Sequence, residues 1–368
     1  MPDMLETTNF GELLAPIAER APRVDSADGD LALDIETLRK AGWFSACFPT
    51  RDGGQGWGSE PGGSLTALDA LRYLGRANLS VARLFESHMN AVKLITLYAD
   101  DRKRDATFEE VRCGALLGVW GADDPGDPLT MTAKGEEIRL SGAKRFASGL
   151  GLVDRAIVIA SDGDDGPNML LVPTDARERS DATGWRMAGM RSTRSGRYNF
   201  SGLTLSADSR IGQKGDYLCE PHFEGGIWRY CAAHLGGAEA LYKGMLQQLT
   251  SRGRADDFDQ RRRIVVCATA LETSRLWLRR CAEEIEARDA SSCKSTLALL
   301  AREVTEDACR TAIEIVDRSL GMAAHEEGSA VERMKRDLAL FICQAAPDAK
   351  RERAGRALVA ACDLAEIL

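Results

Sequence analysis

The spacing of apolar residues changes period twice along the chain, and this limits the architecture more than any single motif. Up to about residue 112 the period is helical. Leu31, Ile35, Leu38 and Ala41 recur at steps of three or four, and Leu68, Leu71 and Leu74, then Leu84, Met89, Val92 and Ile95, mark two longer helices. Between the first of these helices and the two longer ones lies a glycine-rich loop, Asp52-Gly53-Gly54-Gln55-Gly56. From about 113 to 212 short apolar or alternating runs take over, at 114–119, 137–141, 156–161, 169–173 and 198–205, separated by turn clusters such as Asp162-Gly163-Asp164-Asp165-Gly166-Pro167. No helical pattern interrupts them. Parallel neighbours need crossovers of about a dozen residues or more, so this stretch reads as an antiparallel barrel or sandwich. The helical period then returns. Ile227, Cys231, Leu235, Ala238, Leu241, Met245 and Leu249 keep one face; Ile264, Ala268, Leu271, Leu278 and Ala282 keep another, with Arg275 inside that stripe. Three further helices follow, the last over 354–367.

The expected fold class is therefore multidomain α+β: an N-terminal helical domain (1–112), a central antiparallel β-barrel (113–212) and a C-terminal four-helix bundle (213–368). No Gly-x-Gly-x-x-Gly segment supports a dinucleotide-binding Rossmann domain. Of the 368 residues, 44% are hydrophobic and 28% charged, which excludes a disordered chain. Forty-eight basic against 56 acidic residues give a net charge of −8, so there is no global electrostatic footprint for nucleic acid or an anionic membrane. No apolar run approaches the roughly 20 residues of a membrane helix, and no signal peptide is readable. Ten cysteines without a Cys-x-x-Cys read as reduced, mostly buried thiols in a cytoplasmic chain. The four histidines are too far apart to predict a metal site.

Chemistry is carried by a series of local motifs. Leu140-Ser141-Gly142-Ala143-Lys144-Arg145-Phe146-Ala147-Ser148-Gly149 is the most specific; Asp124-Pro125-Gly126 precedes it and Gly189-Met190-Arg191-Ser192-Thr193 follows. Arg229, Ala233 and Gly237 stand four apart on one helix. Then come Arg252-Gly253-Arg254 with Phe258, Arg318-Ser319-Leu320-Gly321, and Val331-Glu332 with Arg336-Asp337. Taken in order with the glycine loop, these resemble the acyl-CoA dehydrogenase superfamily over nearly the whole chain. The resemblance implies FAD held non-covalently between barrel and bundle, with Phe146 against the isoalloxazine ring and the Ser148 hydroxyl near its N5/O4 edge. It implies that Ala122 and Asp123 hold the pyrimidine edge, mainly through backbone groups. It also implies that Arg254, Phe258, Arg318 and Gly321 meet the pyrophosphate and adenine of a neighbouring subunit's FAD, in a homodimer or homotetramer. Arg229, set among apolar positions, is the expected substrate-binding cation, for a phosphate or carboxylate partner.

The departures concern the base. A dehydrogenase of this family takes an α-proton with a glutamate. The two positions the resemblance gives for that residue are Ala345 and Trp228. The nearest acids are Asp348, expected as the catalytic residue, and Glu224. The leading expectation is an FAD-dependent oxidoreductase acting on the CH–CH group of an acyl thioester, on CoA or a carrier protein, with a flavoprotein or oxygen as electron acceptor. The alternative is a flavin-dependent monooxygenase on the same fold, such as an N-hydroxylase or a desulfurising oxygenase, which needs no such base. A third is a degenerate subunit that completes a partner's FAD site.

Overall fold

The computed structural model describes residues 10–164, 166–344 and 346–361. Ala345 therefore lies outside the described residues, as does the far end of the last expected helix. The N-terminal helices are α1 (Phe10–Arg20), α2 (Ala32–Lys40), α3 (Trp43–Ala46), α4 (Ser64–Ala77), α5 (Leu79–Tyr98) and α6 (Asp101–Arg112). One residue separates α4 from α5. Asn78 leaves the helix in extended backbone, and its side chain accepts from Ser80 N at 2.9 Å, starting α5 in a new direction. Fourteen of the 20 residues of α5 are buried, polar ones included, so it is a core helix rather than a surface one.

The central strands are β1 (Leu117–Trp120), β2 (Thr130–Lys134), β3 (Glu137–Ser141), β4 (Ala143–Ala147), β5 (Arg155–Ala160), β6 (Asn168–Pro173), β7 (Ser180–Asp181), β8 (Gly196–Asn199), β9 (Thr204–Ser206) and β10 (Arg210–Ile211). They form three small sheets ordered β1-β5-β6-β10, β2-β3-β9 and β4-β8-β7. The all-antiparallel expectation needs one correction. β1 and β5 are parallel, with Leu117 opposite Arg155. The connection between them is long enough, but it is built from β2, β3 and β4 instead of a helix, so helical periodicity gave no sign of it.

The C-terminal helices are α7 (His222–Gly225), α8 (Ile227–Ser251), α9 (Phe258–Glu286), α10 (Lys294–Leu320), α11 (Ala330–Phe341) and α12 (Pro347–Ala361). The buried stripe of α9 runs through Ser274, bonded to Thr305 Oγ1 at 2.9 Å, and not through Arg275, which turns outward to Glu272. Helix α8 crosses α4 at backbone contact. A Cβ on Gly236 would stand 1.9 Å from Arg72 O, and one on Gly75 2.3 Å from Ala233 O. Of the small residues that the spacing pointed to, Ala233 is thus used against α4, where Gly236 is at the tightest point, whereas Gly237 faces Leu79 of α5 and Leu338 of α11. Of the nine cysteines described, Cys47, Cys231, Cys267, Cys281 and Cys309 are buried, whereas Cys113, Cys219, Cys293 and Cys343 are exposed. No described helix is long and apolar enough to cross a membrane.

The Val331–Asp337 motif locks the bundle onto the barrel. Arg336 donates to Glu332 and Ala188 O at 2.6 Å each, and also pairs with Asp25. Asp337 accepts the Met190 amide at 2.6 Å. Burial pushes the Asp337 carboxyl up to about 6 from 3.8, against the opposing pull of that amide. The folded state thus binds this proton more tightly than the unfolded chain, so the stability it contributes falls as pH rises from about 4 to about 6. Asp337→Asn keeps the acceptor but removes the titration. Compared with that variant, the native chain should lose on the order of 2–3 kcal/mol between pH 4 and pH 7, read from denaturant midpoints. Equal slopes for the two proteins would contradict the assignment.

Candidate functional site

A cavity of about 710 Å³ lies where β1, β4 and the 185–195 loop face α5, α8 and the end of α11. Its barrel wall is built by the Leu140–Gly149 motif. Lys144 is fully buried and donates to Gly121 O at 3.0 Å and Asp123 Oδ1 at 2.6 Å, pinning the 121–123 segment to β4. Ala122 is held there by the Arg145 amide and lines the cavity. Asp123 spends its carboxylate on Lys144 and the Leu129 amide. The next turn, Asp124 to Asp127, is tied to β8 by Arg197, at 2.6 Å to each acid; that guanidinium holds the Asp124 carboxyl below its ordinary range.

Phe146 keeps 43% of its surface exposed, with the Arg145 guanidinium 4.0 Å from the ring centroid and Trp185 edge-on at 6.2 Å. Beside it three hydroxyls line up. Thr193 Oγ1 and Ser195 Oγ are 2.9 Å apart, and Ser195 donates to Ser148 Oγ at 3.0 Å. The remaining Ser148 bond, to Phe146 O, is 3.5 Å long and at the limit of a hydrogen bond, so this hydroxyl is available to a better acceptor. Phe146 (φ 55°), Met190 (φ 53°) and Ala346 (φ 53°) all line this cavity in left-handed backbone, a conformation that costs a non-glycine residue on the order of 1–3 kcal/mol. Strain of this kind concentrated on one cavity marks a site whose shape is held by its surroundings.

The opposite wall is ionic; Arg229 was expected to face a ligand, whereas the α5 residues beside it were not foreseen. Arg83, Glu86, Asn90 and Lys93 recur on one face of α5 and line the cavity. Glu86 pairs with Arg83 and accepts from Asn90. Lys93 donates to Glu286 at 2.7 Å, and Arg229 of α8 pairs with the other Glu286 oxygen, which also accepts from the Trp228 indole at 3.2 Å. Burial opposes the Glu286 charge, but Lys93 and Arg229 outweigh it and hold the carboxyl below its ordinary range. Arg229 does face a carboxylate, then, but one supplied by α9. It also donates to Gly58 O at 2.7 Å, in the loop after the glycine-rich segment, and to Asn90 at 3.2 Å. Glu224 lines the cavity too, paired with Lys350 at 2.9 Å and with Arg353.

The remaining expected residues lie elsewhere. Asp348 is exposed on the first turn of α12 and does not line the cavity. Arg254, Phe258, Arg318 and Gly321 also do not line it. Arg254 pairs with Asp257 at 3.3 Å, Arg318 with Glu314 at 2.7 Å, and Phe258 is 69% exposed. Arg254 and the end of α10 do meet. In the orientation of its amide that satisfies both ends, the buried Gln260 accepts from Arg254 and donates to Ser319 Oγ.

Comparison with known proteins sets these observations in context. No family model matches the chain. A dibenzothiophene monooxygenase from Rhodococcus qingshengii is 26% identical over 204 residues, which are 51% of this chain and 46% of that protein, so the matched part spans about half the length of the curated relatives. Among solved structures, FMN-bound TdsC from Paenibacillus sp. A11-2 superposes with a TM-score of 0.81 at 20% identity, covering 94% of this chain and 95% of that one. Butyryl-CoA dehydrogenase from Megasphaera elsdenii does so with 0.82 at 18% identity, covering 97% and 100%. At these identities the superpositions establish the fold alone.

The Glu286 cluster carries a testable consequence. Glu286→Gln leaves two buried cations without their carboxylate and should cost about 3–5 kcal/mol, measured by chemical unfolding. A loss below about 1 kcal/mol would mean that the pairing is not what holds these helices.

Proposed function

We propose that this chain, whose fold is that of the acyl-CoA dehydrogenases, works as a flavin-dependent monooxygenase on a small organic substrate. One atom of dioxygen goes to the substrate and the other leaves as water, with the two electrons supplied by flavin reduced elsewhere. The observation that carries this reading is the state of the carboxylates. α-Proton abstraction from a thioester needs a carboxylate held over the substrate. Among the described residues, the two that line the cavity, Glu86 and Glu224, are both committed to cations. Asp348 is exposed outside it, and Trp228 is packed in the core. Monooxygenation makes no demand for such a base. The likeness to dibenzothiophene monooxygenases over part of the chain points the same way.

Bound flavin would supply the redox chemistry and the activation of oxygen. The residues that fit it are those of the barrel wall: the open Phe146 face for a planar ring, and the Ser148, Ser195 and Thr193 hydroxyls for its polar edge. Apolar side chains from Trp185, Met187, Met190, Leu340 and Phe341 would keep bulk water from the reacting atoms. Flavin mononucleotide is favoured over FAD by the likeness to FMN-bound TdsC across 94% of this chain.

Supplying the protein with reduced flavin mononucleotide from a flavin reductase should give substrate-dependent oxygen uptake with product formation. Anaerobic addition of acyl-CoAs should leave the oxidised flavin spectrum unbleached. Ser148→Ala should weaken flavin mononucleotide binding roughly tenfold, about 1.4 kcal/mol, and Arg254→Ala should leave it unchanged. Ready bleaching by an acyl-CoA would restore the dehydrogenase reading. FAD binding at least tenfold more tightly than flavin mononucleotide, with that advantage lost in Arg254→Ala, would restore FAD, and a protein that takes up no flavin would point to a degenerate subunit.

A further inference from the structure

The inner end of the cavity carries more positive charge than its partners cancel. Lys93 and Arg229 share the single carboxylate of Glu286, and all three are buried, at 7%, 2% and 3% exposure. A buried surplus charge is costly unless something compensates it. Two of the three Lys93 ammonium hydrogens have acceptors, Glu286 and Ser59 O, the latter long at 3.3 Å. His222 stands beside these cations. Its Nδ1 is buried without a partner, and the side chain lines the same cavity. Burial first, and then the charge of Lys93 with a smaller push from Arg229, drive His222 down to about 4, with Glu286 opposing; the ring is therefore neutral at pH 7. The field felt at this point is positive. Opposite it, the walls are the apolar and aromatic side chains of the loop and α11.

We infer that this end of the cavity is an oxyanion subsite, in which Lys93, Arg229 and His222 receive a carboxylate or sulfonate group of the substrate while the apolar walls hold its hydrocarbon or aromatic body. The group completes the neutralisation that Glu286 alone leaves unfinished. The α5 wall thereby selects acidic substrates over neutral molecules of the same shape. That the bound molecule is the substrate rests on the monooxygenase reading; the subsite itself does not.

The test is equilibrium binding to the flavin-loaded protein without reductant. Benzoate and benzenesulfonate are compared with benzamide, a neutral molecule of similar shape, by calorimetry and by the rise in melting temperature. Benzoate should bind at least tenfold more tightly than benzamide and should raise the melting temperature. Lys93→Gln leaves Arg229 and Glu286 paired one to one. It should lower benzoate affinity at least tenfold, with benzamide and flavin mononucleotide affinities unchanged. Lys93→Met serves as the second variant if the glutamine protein does not fold. Equal affinity for benzoate and benzamide, or undiminished benzoate binding in both Lys93 variants, overturns the subsite. Competition between benzoate and flavin mononucleotide also overturns it, by assigning the positive field to the flavin phosphate. Oxygen uptake that fails while benzoate binds as expected contradicts the monooxygenase reading alone. Uptake that succeeds without benzoate binding contradicts the subsite alone.

Discussion

Glu286 is the group on which the arrangement of the helices turns. It sits near the end of α9 and accepts from Lys93 of α5 and from both Trp228 and Arg229 of α8, while Lys93 and Arg229 reach on to the backbone oxygens of Ser59 and Gly58. A carboxylate so far from water is tolerable only with these donors in place. The N-terminal helices, the loop after the glycine-rich segment and the bundle are therefore held in one relative position, in which a polar wall faces the barrel. Apolar packing would join the same helices less selectively, because many rotations bury similar area. The ion cluster fixes the rotation, and with it which side of α5 lines the cavity.

The barrel contributes the complementary constraint. Lys144 fastens the 121–123 segment, the Arg336-Asp337 pair fastens the 188–190 loop, and the backbone between them is driven into left-handed conformations at Phe146 and Met190. The resulting wall offers an open aromatic face and a row of hydroxyls. The cavity thus joins two chemically different surfaces: one suited to a planar ring with a polar edge, the other to charge. A monooxygenase reading uses both, with the cofactor against the barrel and an acidic substrate toward α5.

Much of this was legible in the sequence where the signal is local. The two changes of period divide helices from strands, and the Leu140–Gly149 motif marks the barrel wall with Phe146 and Ser148. The ionic wall was not legible, for a physical reason. Arg83, Glu86, Asn90 and Lys93 at helical spacing read equally as the solvated face of an amphipathic helix. What turns them inward is an acid 193 residues away from Lys93. A better signal was the length of α5 combined with its apolar residues, which leave no consistent polar side once Leu84, Met89, Val92 and Ile95 are placed. The parallel β1–β5 pair was hidden likewise, because a crossover made of strands has no helical period. Arg254 and Arg318 are singled out by resemblance alone; within the chain each pairs with an acid close in sequence, Asp257 and Glu314.

The central claim is that flavin binds on the barrel wall of this one cavity, with its ring system against Phe146 and Ser148. A crystal structure of the protein with flavin mononucleotide tests it most directly. The account predicts the ring packed on Phe146 with a polar edge at Ser148, the Lys93–Arg229 end left to substrate, and no contact from Arg254 or Arg318. Flavin bound over Arg254 and Phe258 with the cavity closed to it, or its phosphate seated between Lys93 and Arg229, would contradict the account.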